Sequence, residues 1–264
     1  MFSVCTWNVN SIRVRLSHLS TLCEKYRPDL ILLQEIKCEE NSFPREFIEE
    51  LGYSSYIYGQ KSYNGVAVLS KARVDEYKCR DIGNNLEEAR YIEVVVNIDE
   101  VCFRIASLYL PNGSDVSSQN FKSKLFFLES LKKLMIEAYE FGDNYIIGGD
   151  FNVAPESIDV YDPIGMDGTI GFHESERVRL KEIFSSNYID VWRALNPSVQ
   201  KFTWWDYRDR SSYVKNLGMR LDHICISDKL SNIMHKAVIL DEFRAMQRPS
   251  DHVPLMCYFD VSKL

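Results

Sequence analysis

The chain keeps building short apolar runs and ending them at an acid, an amide, a phenol or an imidazole. Residues 29–34 (DLILLQ) run into Glu35, Tyr145-Ile146-Ile147 run through two glycines into Asp150, and the run from Val101 closes near Tyr109. No purely aliphatic stretch is longer than residues 30–33, far short of the ~20 residues of a membrane-spanning helix. Runs this short, alternating with helical patterns, predict strands in a layered α/β structure.

The helical patterns lie between them. Ile12, Leu16, Leu19, Cys23 and Tyr26 recur at spacings of three and four, which predicts a helix that stops before Pro28. Residues 43–51 predict a short helix and 53–58 a strand, with Asn64-Gly65 as the hairpin signal into residues 66–69. Strands are expected over 2–9, 91–97 and 101–110, a long helix over 119–139, a second over Glu174–Phe184, and late strands over 221–226 and 253–259. No linker, repeat or low-complexity stretch interrupts this, so residues 1–264 are expected to form a single domain of two facing mixed sheets with helices outside.

Composition excludes several classes. With 45% hydrophobic residues, 12 Gly and 8 Pro the chain is neither disordered nor collagenous. The N-terminal MFSVCTWNVN has no basic or apolar signal region, so an unexported, cytoplasmic protein is expected. The seven cysteines are dispersed without a CxxC pair, which predicts free thiols and no structural zinc. A net charge of −7 argues against coating nucleic acid through a global positive field. The bases are uneven, however. Arg13, Arg15, Lys25 and Arg27 face only Glu24 in the first 27 residues, and Lys201, Arg208, Arg210, Lys215 and Arg220 outnumber Asp206 and Asp209. Acids crowd elsewhere, at Glu39, Glu40, Glu46, Glu49 and Glu50 and around Glu87 and Glu88, which leaves room for a basic face on an acidic body.

The polar residues at strand ends form an oxygen-rich set: Asn8 and Asn10, Glu35, Tyr109, Asp150 and Asn152, Asp222, and Asp251-His252. Carboxylates and amides without thiolates suit a hard cation such as Mg²⁺ or Mn²⁺. Singly, such residues are more often a cap, a turn or a strand exit than a functional group.

Together they carry a resemblance. TWNVNSIR, LQEIK, YLPNG, GGDFNVAP, FTWWDYR, GMRLDHICIS and PSDHVPL occur in one order along the chain. In that order they resemble the exonuclease III-type apurinic/apyrimidinic endonucleases of the endonuclease/exonuclease/phosphatase superfamily. The resemblance implies a four-layer α/β sandwich with the site at one edge of two facing sheets. It also implies a Mg²⁺-dependent hydrolase, with Mn²⁺ as a substitute. Such an enzyme would cut double-stranded DNA 5′ to abasic sites and would trim or dephosphorylate 3′ ends. A monomer acting on duplexes with abasic sites or blocked 3′ ends, away from membranes, is expected.

Carried over residue by residue, the resemblance puts the metal on Glu35, supported by Asn8 and, around the phosphate, by Asp150, Asn152, Asp251 and His252. Asp150 orients or activates the attacking water, His252 contacts the scissile phosphate with Asp222 behind it, and Tyr109 and Asn152 lie beside that phosphate. Trp204, Met219 and Leu221 match a pocket for a flipped-out baseless sugar. Asn10 and Asn112 are expected to make further substrate contacts, and Arg208, Arg210, Lys215 and Arg220, with Arg13 and Lys61, would then supply contacts to the substrate's backbone phosphates or else form a solvated charged face. Ser11, Asn112 and His223 depart from the expected pattern: Ser11 replaces a glycine, and His223 adds a second titrating group next to Asp222. Two other readings compete: a phosphatase of the same superfamily acting on inositol or lipid phosphates, and a non-catalytic nucleic-acid-binding relative. The first calls for a cationic cluster or an apolar membrane-facing loop, and the second for a lost metal or phosphate residue. None of these features is found in the sequence.

Overall fold

The computed structural model describes residues 1–83, 88–209 and 211–264. Its organisation follows from the fully buried runs. β1 (Phe2–Asn8) and β2 (Leu30–Gln34) have every residue buried and lie parallel. Parallel neighbours need a crossover, and α1 (Leu16–Tyr26) supplies it, ending at Arg27 in the left-handed conformation just before Pro28. After α2 (Arg45–Glu50), β3 (Ser54–Tyr58) and β4 (Val66–Ser70) pair antiparallel beside β2.

The second half repeats the plan. β5 (Val74–Cys79), β6 (Tyr91–Ile98) and β7 (Val101–Tyr109) form an antiparallel meander. The crossover α3 (Gln119–Glu140), capped by Ser118, then leads to β8 (Tyr145–Asp150), parallel to β7. α4 (Glu174–Phe184), β9 (Tyr188–Asp190) and α5 (Val191–Leu195) follow. The last segments are β10 (Trp204–Trp205), β11 (Gly218–Met219), β12 (Asp222–Ser227), β13 (Met234–Ile239) and β14 (Leu255–Phe259).

Two six-stranded mixed sheets result, ordered β13-β14-β1-β2-β4-β3 and β5-β6-β7-β8-β12-β9. They pack face to face, with β1 and β2 across from β8 and β7. α3 and α4 cover the second sheet through Phe127, Leu128, Leu131, Leu180 and Ile183, while α1 covers the first through Leu19 and Leu22. This is the four-layer α/β sandwich. Among the described residues no helix is long and apolar enough to cross a membrane, and all seven cysteines are free.

Close approach explains the glycine pair ahead of Asp150. A Cβ on Gly149 would lie 1.9 Å from the Leu108 carbonyl oxygen of the adjoining strand. One on Gly148 would lie 2.7 Å from Leu32 Cδ1 of the facing sheet. Asn64 and Gly65 do take positive φ, 49° and 86°, but not as a two-residue turn. Tyr58 pairs with Val66, so residues 59–65 form a longer loop, whose Asn64 and Gly65 carbonyls accept from the backbone N–H groups of Lys37 and Ile36.

The sequence patterns miss β5, β9, β10, β11 and β13. β5 reads VDEYKC and lies largely exposed at a sheet edge, so it lacks the apolar run that betrays a buried strand. The helix expected from Ile12 begins at Leu16, after a single 3₁₀ turn.

Candidate active site

The four central parallel strands deliver the polar set. β1 ends at Asn8, β2 runs into Glu35, β7 ends at Tyr109 and β8 at Asp150. In open α/β sheets the carboxyl ends of parallel strands are where ligands bind, and here two sheets present theirs side by side. Several exits bend through the left-handed region, with φ of 43° at Asn10, 48° at Glu35 and 50° at Asn152. Such conformations persist only where surrounding bonds hold them.

Asn8 is the hub. Its Nδ2 donates to Glu35 Oε1 at 2.8 Å and to Asp150 Oδ2 at 2.9 Å, tying one sheet to the other. Its Oδ1 accepts from the Asn10 N–H at 3.0 Å. Glu35 Oε2 lies 2.7 Å from Lys37 Nζ, and the Tyr109 phenol neighbours the same carboxylate. Asp150 Oδ1 accepts from the Asn152 N–H, and Asn152 Nδ2 donates to the Leu110 carbonyl. Asn112 Nδ2 donates to Asn152 Oδ1 at 3.2 Å.

The imidazole comes from the far end of the chain. His252 Nδ1 lies 2.8 Å from Asp222 Oδ2, and its Nε2 lies 3.5 Å from Asp150 Oδ2. Trp204 forms a β-bridge with His252, and Trp204 Nε1 donates to Asp251 Oδ2 at 3.1 Å. Asn10 Nδ2 donates to Asp251 Oδ1 at 2.9 Å. Two sequence-distant blocks, FTWWDYR and PSDHVPL, are thereby zipped together.

Burial sets the electrostatics. Removal from water pushes the Asp150 carboxyl up to about 7; Asp222 adds to the rise, while the His252 cation and the Asn8 amide oppose it. Burial works against a charged His252, yet the charges of Asp222 and Asp150 outweigh it and raise the imidazole to about 10. Tyr109 is raised by burial and by the neighbouring Glu35 and Asp150, so it is held as a phenol.

One pocket of about 680 Å³ opens onto these groups. Its walls include Glu35, Tyr109, Asn112, Asp150, Asn152, Asp251 and His252 on the polar side, and Trp204, Met219 and Leu221 on the apolar side, with Arg208 at the rim. Behind Met219 and Leu221 lie Ala154, Val160 and Phe172, a small apolar cluster apart from the main core. Asn8, Asn10 and Asp222 stand behind the lining and hold it through the bonds above. Every residue singled out above as catalytic, metal-binding or lesion-contacting is thus brought to this one place.

The basic residues divide. Arg13 and Lys61 line a cleft together with Lys37, and Lys215 is exposed. Arg220 is not a phosphate contact: it is fully buried, bonded to Asp159 at 2.7 Å and to Asp190 at 2.6 Å. Its strand neighbours Met219 and Leu221 turn to the pocket, so its own side chain turns inward. His223 joins that inner cluster, 3.2 Å from Asp190 Oδ2, and faces away from the pocket. Arg210, like Glu87, lies outside the described residues. Arg15, which the sequence marks only as one base of the N-terminal cluster, bonds the carbonyls of Asn10 and Pro249 and the hydroxyl of Tyr207 through its guanidinium.

The donors suit a hard divalent cation. Asp150, Asp222 and His252 place ligand atoms within 4.8 Å of one another, although the Asp222–His252 hydrogen bond already engages Nδ1. Counted as formal charges, Glu35, Asp150, Asp222 and Asp251 stand against Lys37 and His252. That surplus of two negative charges is what one divalent cation would balance.

A sandwich of this kind, with acids and an imidazole gathered where parallel strands of both sheets end, defines a hydrolytic α/β enzyme. The chain belongs to the Endonuclease/Exonuclease/phosphatase family, whose sequence profile it matches over residues 5–252. It is 32% identical over 266 residues to exodeoxyribonuclease III of Haemophilus influenzae, covering 96% of this chain and 98% of that one. An AP endonuclease structure from Archaeoglobus fulgidus superposes with a TM-score of 0.92 at 31% identity, covering 99% of this chain and all of that one. The 3′ phosphatase NExo from Neisseria, bound to a product DNA hairpin, superposes with a TM-score of 0.93 at 30% identity, covering 98% and 100%.

Proposed function

We propose that this protein is a Mg²⁺-dependent DNA repair nuclease that hydrolyses the phosphodiester on the 5′ side of an abasic site and also acts on blocked 3′ ends of duplex DNA. One observation carries the reading: the apolar recess walled by Trp204, Met219 and Leu221 opens directly onto the cluster of Asp150, Asp222, His252 and Glu35. Such a recess takes a bare deoxyribose and turns away one that keeps its base.

Glu35 and Asp150, with Asn8 between them, would hold the cation, which when bound supplies positive charge to the phosphate oxygens and to the departing 3′ oxygen. Asp150 takes the proton of the attacking water, and the water oxygen bonds to phosphorus as the P–O3′ bond breaks. His252, kept charged by Asp222, donates from Nε2 to a non-bridging phosphate oxygen. The Tyr109 phenol and the Asn152 and Asn112 amides add neutral donors and fix the phosphate's orientation. Arg208 at the rim and Arg13 and Lys61 in the neighbouring cleft contact the flanking backbone.

The test is an end-labelled duplex with one tetrahydrofuran abasic analogue, run beside a duplex ending in a 3′-phosphate, with Mg²⁺ and with EDTA. Incision immediately 5′ to the analogue, lost in EDTA, supports the reading. A folded protein that leaves both duplexes intact with Mg²⁺ and with Mn²⁺ overturns it. Release of the 3′-phosphate without incision restricts the protein to end processing, the activity named for the Neisseria relative.

A further inference from the structure

The long crossover helix α3 carries a lysine on its packed face. Lys124 is completely buried, and so is its partner Glu176 on α4, 2.8 Å away. Desolvating such a pair costs stability that apolar residues of the same volume would not. The pair therefore calls for an explanation beyond core packing.

Its hydrogen bonds supply one. Lys124 Nζ donates to the Asn112 carbonyl at 3.1 Å, to the Asn152 carbonyl at 2.8 Å and to Glu176, which uses all three hydrogens of the ammonium. Glu176 in turn accepts from the Gly171 N–H through both oxygens, at 3.0 and 3.3 Å. Asn112, Asn152 and Gly171 lie on three separate loops, and all three line the pocket. Asn152 has a φ of 50°, so its carbonyl direction depends on whatever holds it from below. Neither charged group reaches the pocket itself.

We infer that Lys124 and Glu176 are positioning residues, a buried brace that fixes the two amides facing the phosphate and the Gly171 edge of the sugar recess. The inference about catalysis rests on the proposed nuclease reading; the bracing itself does not. It is tested with Lys124→Met combined with Glu176→Gln, which removes both charges and leaves an acceptor for Gly171. On the tetrahydrofuran duplex kcat should fall about 30-fold or more, with KM changed by no more than about threefold. Adding Asn152→Ala should cost less than about threefold further, because the brace acts through that residue. Amide hydrogen exchange over residues 110–114 and 151–154 should rise about tenfold while β1 stays protected.

Unchanged kcat and unchanged exchange in a folded variant overturn the inference. So does a loss that multiplies fully with that of Asn152→Ala, since a purely structural role predicts independence. Should the double variant not fold, Lys124→Gln is read in the same cycle against the same two outcomes. A parent protein that cuts neither duplex sinks the functional reading, and the exchange measurement alone then decides the bracing.

Discussion

Strand β12 carries two Asp–His arrangements on opposite faces. Asp222 turns to one side and holds His252. His223, the next residue, turns to the other and meets Asp190, Arg220 and the Val153 carbonyl. Both clusters are buried, but their charges differ. In the inner cluster Arg220 and Arg193 face Asp159 and Asp190, two cations for two anions. Burial opposes an ionised Asp190, yet Arg220 and His223 outweigh it and hold the carboxyl far below its usual range. In the outer cluster no arginine among the described residues bonds the carboxylates, and burial pushes Asp150 up to about 7. The inner set is balanced and closed, which makes it scaffold. The outer set keeps unbalanced negative charge facing a pocket, the condition for binding a cation and moving a proton.

The largest expected effect breaks the outer cluster. Asp150→Asn should lower kcat on the abasic duplex by about 10³-fold or more, while duplex binding stays close to that of the parent. Its effect on stability should have the opposite sign. A carboxyl whose folded pKa is raised stabilises the protein relative to its ionised form at low pH, and that contribution is lost as pH rises through about 7. At pH 8 the asparagine variant should therefore be at least as resistant to urea as the parent. A variant both inactive and clearly less stable at pH 8 would make Asp150 scaffold after all.

The inner cluster should respond the other way. Arg220→Met leaves Asp159 and Asp190 buried without their cation and should cost about 3–5 kcal/mol in urea unfolding. The kcat of the surviving folded fraction should fall far less than in the Asp150 variant. A pH series sharpens the contrast. Because Asp190 is held below its unfolded value, its contribution is present above about pH 4 and fades as pH falls below that. Asp190→Asn should flatten the acid limb of the stability curve and leave its alkaline limb unchanged. An acid limb as steep as the parent's would mean that other carboxylates control acid unfolding.

These two clusters also show how far the sequence could be read. Asn8, Glu35, Asp150 and His252 were legible because each ends or adjoins an apolar run or a family block, and strand ends on a rigid sheet present their side chains to one edge. The resemblance sets Arg220 among the backbone-phosphate contacts, as one of the five bases between residues 201 and 220. Only the alternation along residues 218–222 turns it inward, and two pairings form over longer distances, to Asp159 and Asp190. Asp190 lies in a three-residue strand too short to announce itself. Lys124 was hidden for a related reason: periodicity marks a helix face as buried, but it does not say that a buried position holds a charge.

A third ion pair, at the surface, sets the lower end of the scale. Arg208 lies at the pocket rim and pairs with Asp206 at 2.9 Å, with 89% of its side chain exposed. Water screens such a pair, so Arg208→Ala should leave the urea midpoint unchanged. Its role would show in binding. If the guanidinium leaves Asp206 for a phosphate, the variant should bind an abasic duplex a few-fold more weakly, with the slope of log K against log salt reduced by about one. The kcat at saturating DNA should stay near that of the parent, because the residue touches none of the groups around Asp150. A reduced kcat with an unchanged salt slope would move Arg208 from the rim into the outer cluster's chemistry. An unchanged slope with unchanged kcat would leave it a solvated pair with Asp206 and nothing more.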